Sequence, residues 1–247
     1  MTGPTAQELA AFPTGAVRIL GATARAMVLD AAAAAGRIIE RVADETAGRS
    51  PALSTLPARL LILSDETGKP LLNAAAVTPA LHLADRIFTD AAGVRVRLDG
   101  VTTVTEPAPT GMLDPRANRR LLLDHALGRT EFLMRHLPPR PALSVVGDPI
   151  TVVVVRSISG RVTGCSLGMT ADWVIVQAGL FDAGNPRSYD ATVLAHELGH
   201  AVNLPHLRDR ANLMNPDSTP PGRLRGTTLR GWQAAVVAAN RHVIPPA

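Results

Sequence analysis

The pattern of apolar and polar positions divides the chain near residue 55. Before that point Leu20, Ala24, Met27, Ala31, Ala35, Ile38 and Val42 recur three or four residues apart, which predicts an amphipathic helix over residues 17–42. Gly48, Ser50, Pro51 and Pro57 break that period and predict a linker over 47–57. We therefore expect a helical extension with its linker over 1–55 and a main domain over 56–247. An amphipathic face is most simply a packing face on the main domain. A pro-segment or a partner-binding helix is the alternative.

After residue 58 the period changes. Arg59 to Ser64 (RLLILS) is a short apolar run typical of a buried strand. A helix is predicted over Thr78–Ala92, with Leu81, Ala84, Ile87 and Phe88 on one face and Gly93 as its stop. Residues 94–98 alternate Val, Arg, Val, Arg, Leu as a half-buried strand does. A Pro-rich loop over 106–115 precedes a second helix over 118–137, closed by Pro138 and Pro139. Ile150–Val155 and Trp173–Gln177 are β-branched strands. A further helix is expected to start near Ser188 or Asp190, either of which can cap it, and a last one covers 228–243. Strands mixed with helices give an α/β or α+β class.

Composition narrows the function classes. Of 247 residues, 46% are hydrophobic and 19% charged, enough apolar material for a buried core. Aromatics are only 3%, which leaves little for stacking nucleobases. The net charge is +4 and its arginines are scattered, so no nucleic-acid partner is expected. The apolar stretch from Met27 to Ile39 is interrupted by Asp30, Gly36 and Arg37, and no membrane span is expected. Residues 1–13 lack the basic-then-apolar layout of an export leader. The one cysteine, Cys165, has no partner for an intrachain disulfide and is expected to be a buried structural thiol.

Candidate chemistry is concentrated after residue 190. His196-Glu197-Leu198-Gly199-His200 lies in a helical stretch, where positions four apart share a face, so His196 and His200 can address one metal ion. Neutral imidazole nitrogen suits zinc, and Glu197 beside the first ligand can act on a water as general base. Catalytic zinc takes three protein ligands. His206, ten residues after His196, supplies the third only if the helix ends between His200 and His206. Asn203 can adopt the left-handed conformation that ends a helix, and Pro205 keeps it from resuming. Asp209 is the alternative third ligand, and no glutamate follows Glu197. His82, His125, His136 and His242 stand apart from this group, and Tyr189 is given no catalytic role.

The run HELGHAVNLPH, followed by Asn212-Leu213-Met214-Asn215-Pro216, resembles the metzincin clan of zinc metallopeptidases, whose pattern is H-E-x-x-H-x-x-G-x-x-H and a Met-turn. It departs from that pattern in having Asn203 at the glycine position. The resemblance covers about residues 58–247. It implies a twisted, mixed, mainly parallel sheet, an active-site helix, and a small irregular C-terminal subdomain ending in a helix. The upper part would be 56–202 and the lower part 203–247. It further implies one catalytic Zn2+ on His196, His200 and His206, Glu197 as general base, Met214 as an apolar floor, and a peptide or protein substrate. That substrate would lie along an edge strand near 168–177, with 215–225 walling the pocket beyond the bond. No individual substrate-binding residue is assigned. Secretion is the location the resemblance favours, with the cytoplasm as the alternative. A narrow-specificity or non-proteolytic partner-binding protein on the same scaffold is the rival reading.

Overall fold

The computed structural model describes residues 4–48, 52–117, 119–137, 146–159, 164–167, 172–218 and 224–246. Among the described residues five strands form one sheet: β1 Ser54–Ile62, β2 Val94–Thr103, β3 Ile150–Val155, β4 Gly164–Ser166 and β5 Trp173–Gln177, in the order β2-β1-β3-β5-β4. The first three pairings are parallel, and β4 runs antiparallel to β5 at the edge. The central strands are apolar without alternation because both faces are covered. Leu60, Ile62, Val152, Val154, Val174 and Val176 face one core cluster. Leu61, Leu63, Val153, Val155, Trp173 and Ile175 face the other. The first cluster is closed by α2 Thr78–Ala92, α6 Val193–Ala201 and α7 Gly231–Ala238. The second is closed by α3 Thr110–Leu113, α4 Arg119–Ala126 and α5 Glu131–His136. This is the mixed, mainly parallel α/β architecture expected.

Several elements differ from expectation, each for a physical reason. The N-terminal helix α1 runs Ala6–Ala47, with Pro13 inside it, far beyond 17–42. Strand β1 begins at Ser54 rather than Arg59, and it takes in Pro57 because pairing with β3 starts only at Ala58. β2 continues to Thr103 as an exposed edge, so its alternation holds only at its start. The helix expected over 118–137 is two helices, split where Gly128 takes a φ of 77°. Asn118, Pro138 and Pro139 fall outside the described residues, as do 49–51 of the expected linker.

The inward face of α1 is tied to the rest of the chain at several points. Gly15 lies so close to the Ala126 carbonyl that a Cβ would stand 2.0 Å from it. Arg129 Nη2 donates to Glu8 at 2.9 Å, and Arg37 Nη2 to the Val243 carbonyl at 3.1 Å. Its outward face exposes Val17, Leu20, Met27, Val28 and Ile38. By length and composition alone, Ala6–Asp44 is apolar enough to cross a bilayer, with a mean hydropathy of 1.3 over one 18-residue window. This run is longer than the stretch from Met27 to Ile39 on which no span is expected.

Candidate metal centre

Helix α6 is buried on nearly every side; within it only His200 is partly open. It starts at Val193, later than expected, because Asp190 turns back on itself: its Oδ1 accepts from Thr192 N at 2.9 Å and Thr192 Oγ1 at 2.6 Å. Two C-terminal bonds end it, Asn203 N to His200 O at 3.0 Å and Leu204 N to Gly199 O at 2.9 Å. This pair is the Schellman arrangement, which needs a left-handed residue after the cap. That residue is Asn203, with φ of 70°. The chain then turns back through Pro205 and brings His206 over the helix.

The three imidazoles converge through Nε2. The separations are 3.1 Å for His196–His200, 3.0 Å for His200–His206 and 3.3 Å for His196–His206. Nitrogens about 2.0–2.1 Å from one zinc ion at tetrahedral angles would stand about 3.4 Å apart, so this donor set fits such an ion. The tautomers agree. His196 Nδ1 donates to the Leu213 carbonyl and His200 Nδ1 to the Leu204 carbonyl, both at 2.8 Å. A carbonyl only accepts, so each Nδ1 holds the proton and each Nε2 presents a lone pair. Burial holds His196 down at about 2 and His200 at about 4, with the Arg225 charge acting in the same direction, and it also lowers His206. Asp209 is turned away: its Oδ2 lies 3.2 Å from Arg230 Nη2. His125 and His242 are likewise engaged elsewhere, with Thr130 Oγ1 and the Asp148 carbonyl.

Glu197 is 3% exposed, and its Oε2 has no hydrogen-bond partner among the described residues. Burial raises it to about 8, against a lowering pull from Arg225. Strand β4 passes directly over it, since a Cβ on Gly164 would sit 2.2 Å from Glu197 Oε1. The edge strand beside the site is therefore Gly164–Ser166, whereas β5 is interior, paired with β3 on its other side. This corrects the expectation of an edge near 168–177, of which 168–171 lie outside the described residues. Cys165, in that edge strand, is buried as expected.

Met214 is fully buried, and a Cβ on Gly199, which precedes His200 in α6, would meet its Sδ at 2.5 Å. The turn carrying Met214 is held by side chains that sequence reasoning passed over. Asn212 Oδ1 accepts from Met214 N at 2.9 Å, and Asn212 Nδ2 donates to Gln233 Oε1 at 2.7 Å. Gln233 also caps α7, which is shorter than the expected 228–243 because Asn240 turns the chain there, its Oδ1 accepting from His242 N at 3.0 Å. Arg225 and Asp190 were also missed as a pair. Both are buried, with Arg225 Nη2 3.4 Å from Asp190 Oδ2. Burial lowers Arg225 from the usual guanidinium range, while Asp190 and Glu197 raise it.

Asn203 has a second role that a glycine cannot fill. Its Nδ2 donates to Asp30 Oδ2 of α1 at 2.9 Å, and the same carboxylate receives Arg241 N and Nη1 at 3.0 Å each. The N-terminal helix is thus fastened to the turn that delivers His206. Asn203→Ala should destabilise the protein by about 2–4 kcal/mol, from the left-handed strain plus a lost charged hydrogen bond. Asn203→Gly should cost only the bond, about 1–3 kcal/mol. Denaturant unfolding of both measures this, and equal losses would mean that the left-handed turn is not the constraint.

No family model matches the sequence, and no curated protein matches it. Solved structures do. A Tannerella forsythia promirolysin mutant aligns with a TM-score of 0.52 at 10% identity, covering 76% of this chain and 80% of that one. Metalloproteinase-II from Bacteroides fragilis aligns at 0.46 and 11% identity, and this chain spans 56% of its length. A zinc-dependent peptidase from Methanocorpusculum labreanum aligns at 0.43 and 14%. The likeness to promirolysin establishes a shared fold.

Proposed function

We propose that this chain is a zinc-dependent endopeptidase in which His196, His200 and His206 hold the metal and Glu197 is the general base. The observation that supports this most directly is the convergence of three Nε2 atoms within 3.0–3.3 Å of one another, two of the rings oriented by backbone carbonyls, beside a buried carboxylate whose Oε2 has no partner among the described residues. No structural need explains such a cluster. Three lone pairs facing one another repel, and an enclosed carboxylate without a donor costs about 1–3 kcal/mol or more.

When bound, zinc would polarise the scissile carbonyl and acidify the attacking water. The chain's own residues do the rest. Glu197 takes the proton from that water and passes it to the leaving amine. The Leu213 and Leu204 carbonyls keep two of the imidazoles in the ligating tautomer. Met214 and Gly199 form a rigid apolar floor. In this reading an extended peptide adds alongside the edge strand β4, the strand-addition mode. In this reading the extension over 1–55, whose helix is Ala6–Ala47, packs on a catalytic unit over 56–247.

The test is digestion of a mixed peptide library by the full chain before and after chelation. The expected result is internal cleavage, abolished by the chelator and restored by about one equivalent of zinc. Chain that takes up no zinc on reconstitution would overturn the reading.

A further inference from the structure

One charged group at this centre is left without a task by the peptidase chemistry. Arg225 is 6% exposed, yet it is only loosely held. Asp190 Oδ2, its ion-pair partner at 3.4 Å, already accepts a shorter bond from Ser218 Oγ at 2.7 Å. The other oxygen of Asp190 is taken by Thr192. Arg225 Nε and Nη1, which carry three N–H donors between them, have no partner among the described residues.

Its placement is fixed by the backbone. Gly226 N donates to the Arg210 carbonyl at 2.8 Å, and Thr228 N to the Ala211 carbonyl at 3.0 Å. The segment therefore runs against the residues leading into the Met214 turn, so tightly that a Cβ on Gly226 would stand 1.9 Å from the Ala211 oxygen. Arg225 is thereby held against Asp190, whose carbonyl accepts from Val193 N at the start of the helix that carries His196, Glu197 and His200, and its charge bears on all three histidines and on Glu197. A cation there opposes a bound metal ion, so metal binding does not account for it. A buried guanidinium with open donors instead calls for an anion, and planar carboxylate is its natural partner. With a divalent ion in place, the centre, counted with Glu197 and Asp190, keeps a net positive charge that one incoming carboxylate would neutralise.

We infer that Arg225 is the carboxylate-binding residue of this site, receiving either an Asp or Glu side chain next to the scissile bond or the free C-terminus of a peptide. This rests on the peptidase reading and names its substrate class. The preference follows from asymmetry: an amide in place of the carboxylate leaves the buried donors poorly matched, and the penalty falls on every neutral substrate.

The experiment uses the full zinc-loaded chain and peptides in matched sets: Asp against Asn and Glu against Gln at each position flanking the bond, and free acid against C-terminal amide. Cleavage is measured with wild type, Arg225→Met and Arg225→Lys. Binding of the same peptides is measured by anisotropy on zinc-loaded Glu197→Ala protein with and without Arg225→Met. Wild type should favour the carboxylate member by about tenfold to a hundredfold. Arg225→Met should level the pair to within about twofold with zinc content unchanged, and Arg225→Lys should keep part of the preference. Preference in the side-chain set locates the carboxylate beside the bond; preference in the acid–amide set assigns it to the C-terminus. Cleavage by wild type without any carboxylate preference would overturn the inference and leave the peptidase standing. So would a preference that survives in Arg225→Met. If wild type cleaves nothing, the peptidase reading fails, and the binding arm still decides Arg225. If Arg225→Met loses its fold, the wild-type pairs and Arg225→Lys decide it.

Discussion

Glu197→Gln should lower kcat by about 10²- to 10⁴-fold while zinc content stays at about one per chain. The substitution preserves volume and one acceptor oxygen, so the packing under Gly164 is kept; only the basic function is removed. The effect should appear in kcat and not in KM, because nothing places Glu197 among groups that bind a peptide before reaction. The three ligating atoms are oriented by Leu213, Leu204 and the turn at Asn203, none of which involves the Glu197 carboxylate. Metal retention is thus the control that separates lost chemistry from a lost site. Activity that persists in the Gln variant with zinc bound would mean that another group accepts the proton. Loss of zinc in that variant would mean that Glu197 supports the metal rather than the water.

The parts of this site that were legible in the sequence are those set by local geometry. Four-residue spacing on a helix puts His196 and His200 on one face whatever the surroundings. Asn203 and Pro205 announce the helix end, and the structure places that end at Asn203, with its φ of 70°. The buried strands were legible for the same reason, since uninterrupted β-branched runs need cover on both faces. What stayed hidden depends on partners far away in the chain. Asp30 meets Asn203 across 173 positions, and Arg129 meets Glu8 across 121. Neither pairing leaves a period or a motif. Arg225 and Asp190 are each an ordinary charged residue until folding buries them together. Strand β4 is three residues long, too short for alternation to register, and so the edge beside the metal centre was assigned to the neighbouring segment. Gly128, which splits the helix expected over 118–137, reads as a tolerated glycine unless its positive φ is known.

Zinc binding should be unusually insensitive to acid, and the metal-free protein should be least tolerant of it. Imidazole must be neutral to ligate. Two histidines at the ordinary 6.5 would together weaken zinc by roughly several hundredfold between pH 7 and pH 5. Here burial holds His196 at about 2 and His200 at about 4, so both remain neutral at pH 5 and contribute almost none of that loss. Titration against a competing chelator at the two pH values measures the difference, corrected for the chelator's own protonation. A several-hundredfold weakening would show that the buried, neutral pair does not exist in solution. Without metal the same shifts act on stability with a definite sign. Unfolding lets His196 and His200 take up protons below about 6.5, which the native state refuses, so stability falls as pH drops from about 6.5 towards 4. Glu197 opposes this: raised to about 8, it is protonated in the native state and charged in the unfolded one between about 4.5 and 8, so its contribution is full at low pH and is lost as pH rises through 8. Two histidines outweigh one glutamate below 6.5, and the glutamate acts alone above it. The unfolding midpoint of the metal-free chain should therefore peak near pH 6.5 and fall on both sides. Adding zinc should raise it across the range by preferential binding to the native state, about 2.7 kcal/mol at a hundred times Kd. A metal-free profile that stays flat from pH 4 to pH 8 would mean that these groups are solvated and that the site is assembled only by the metal.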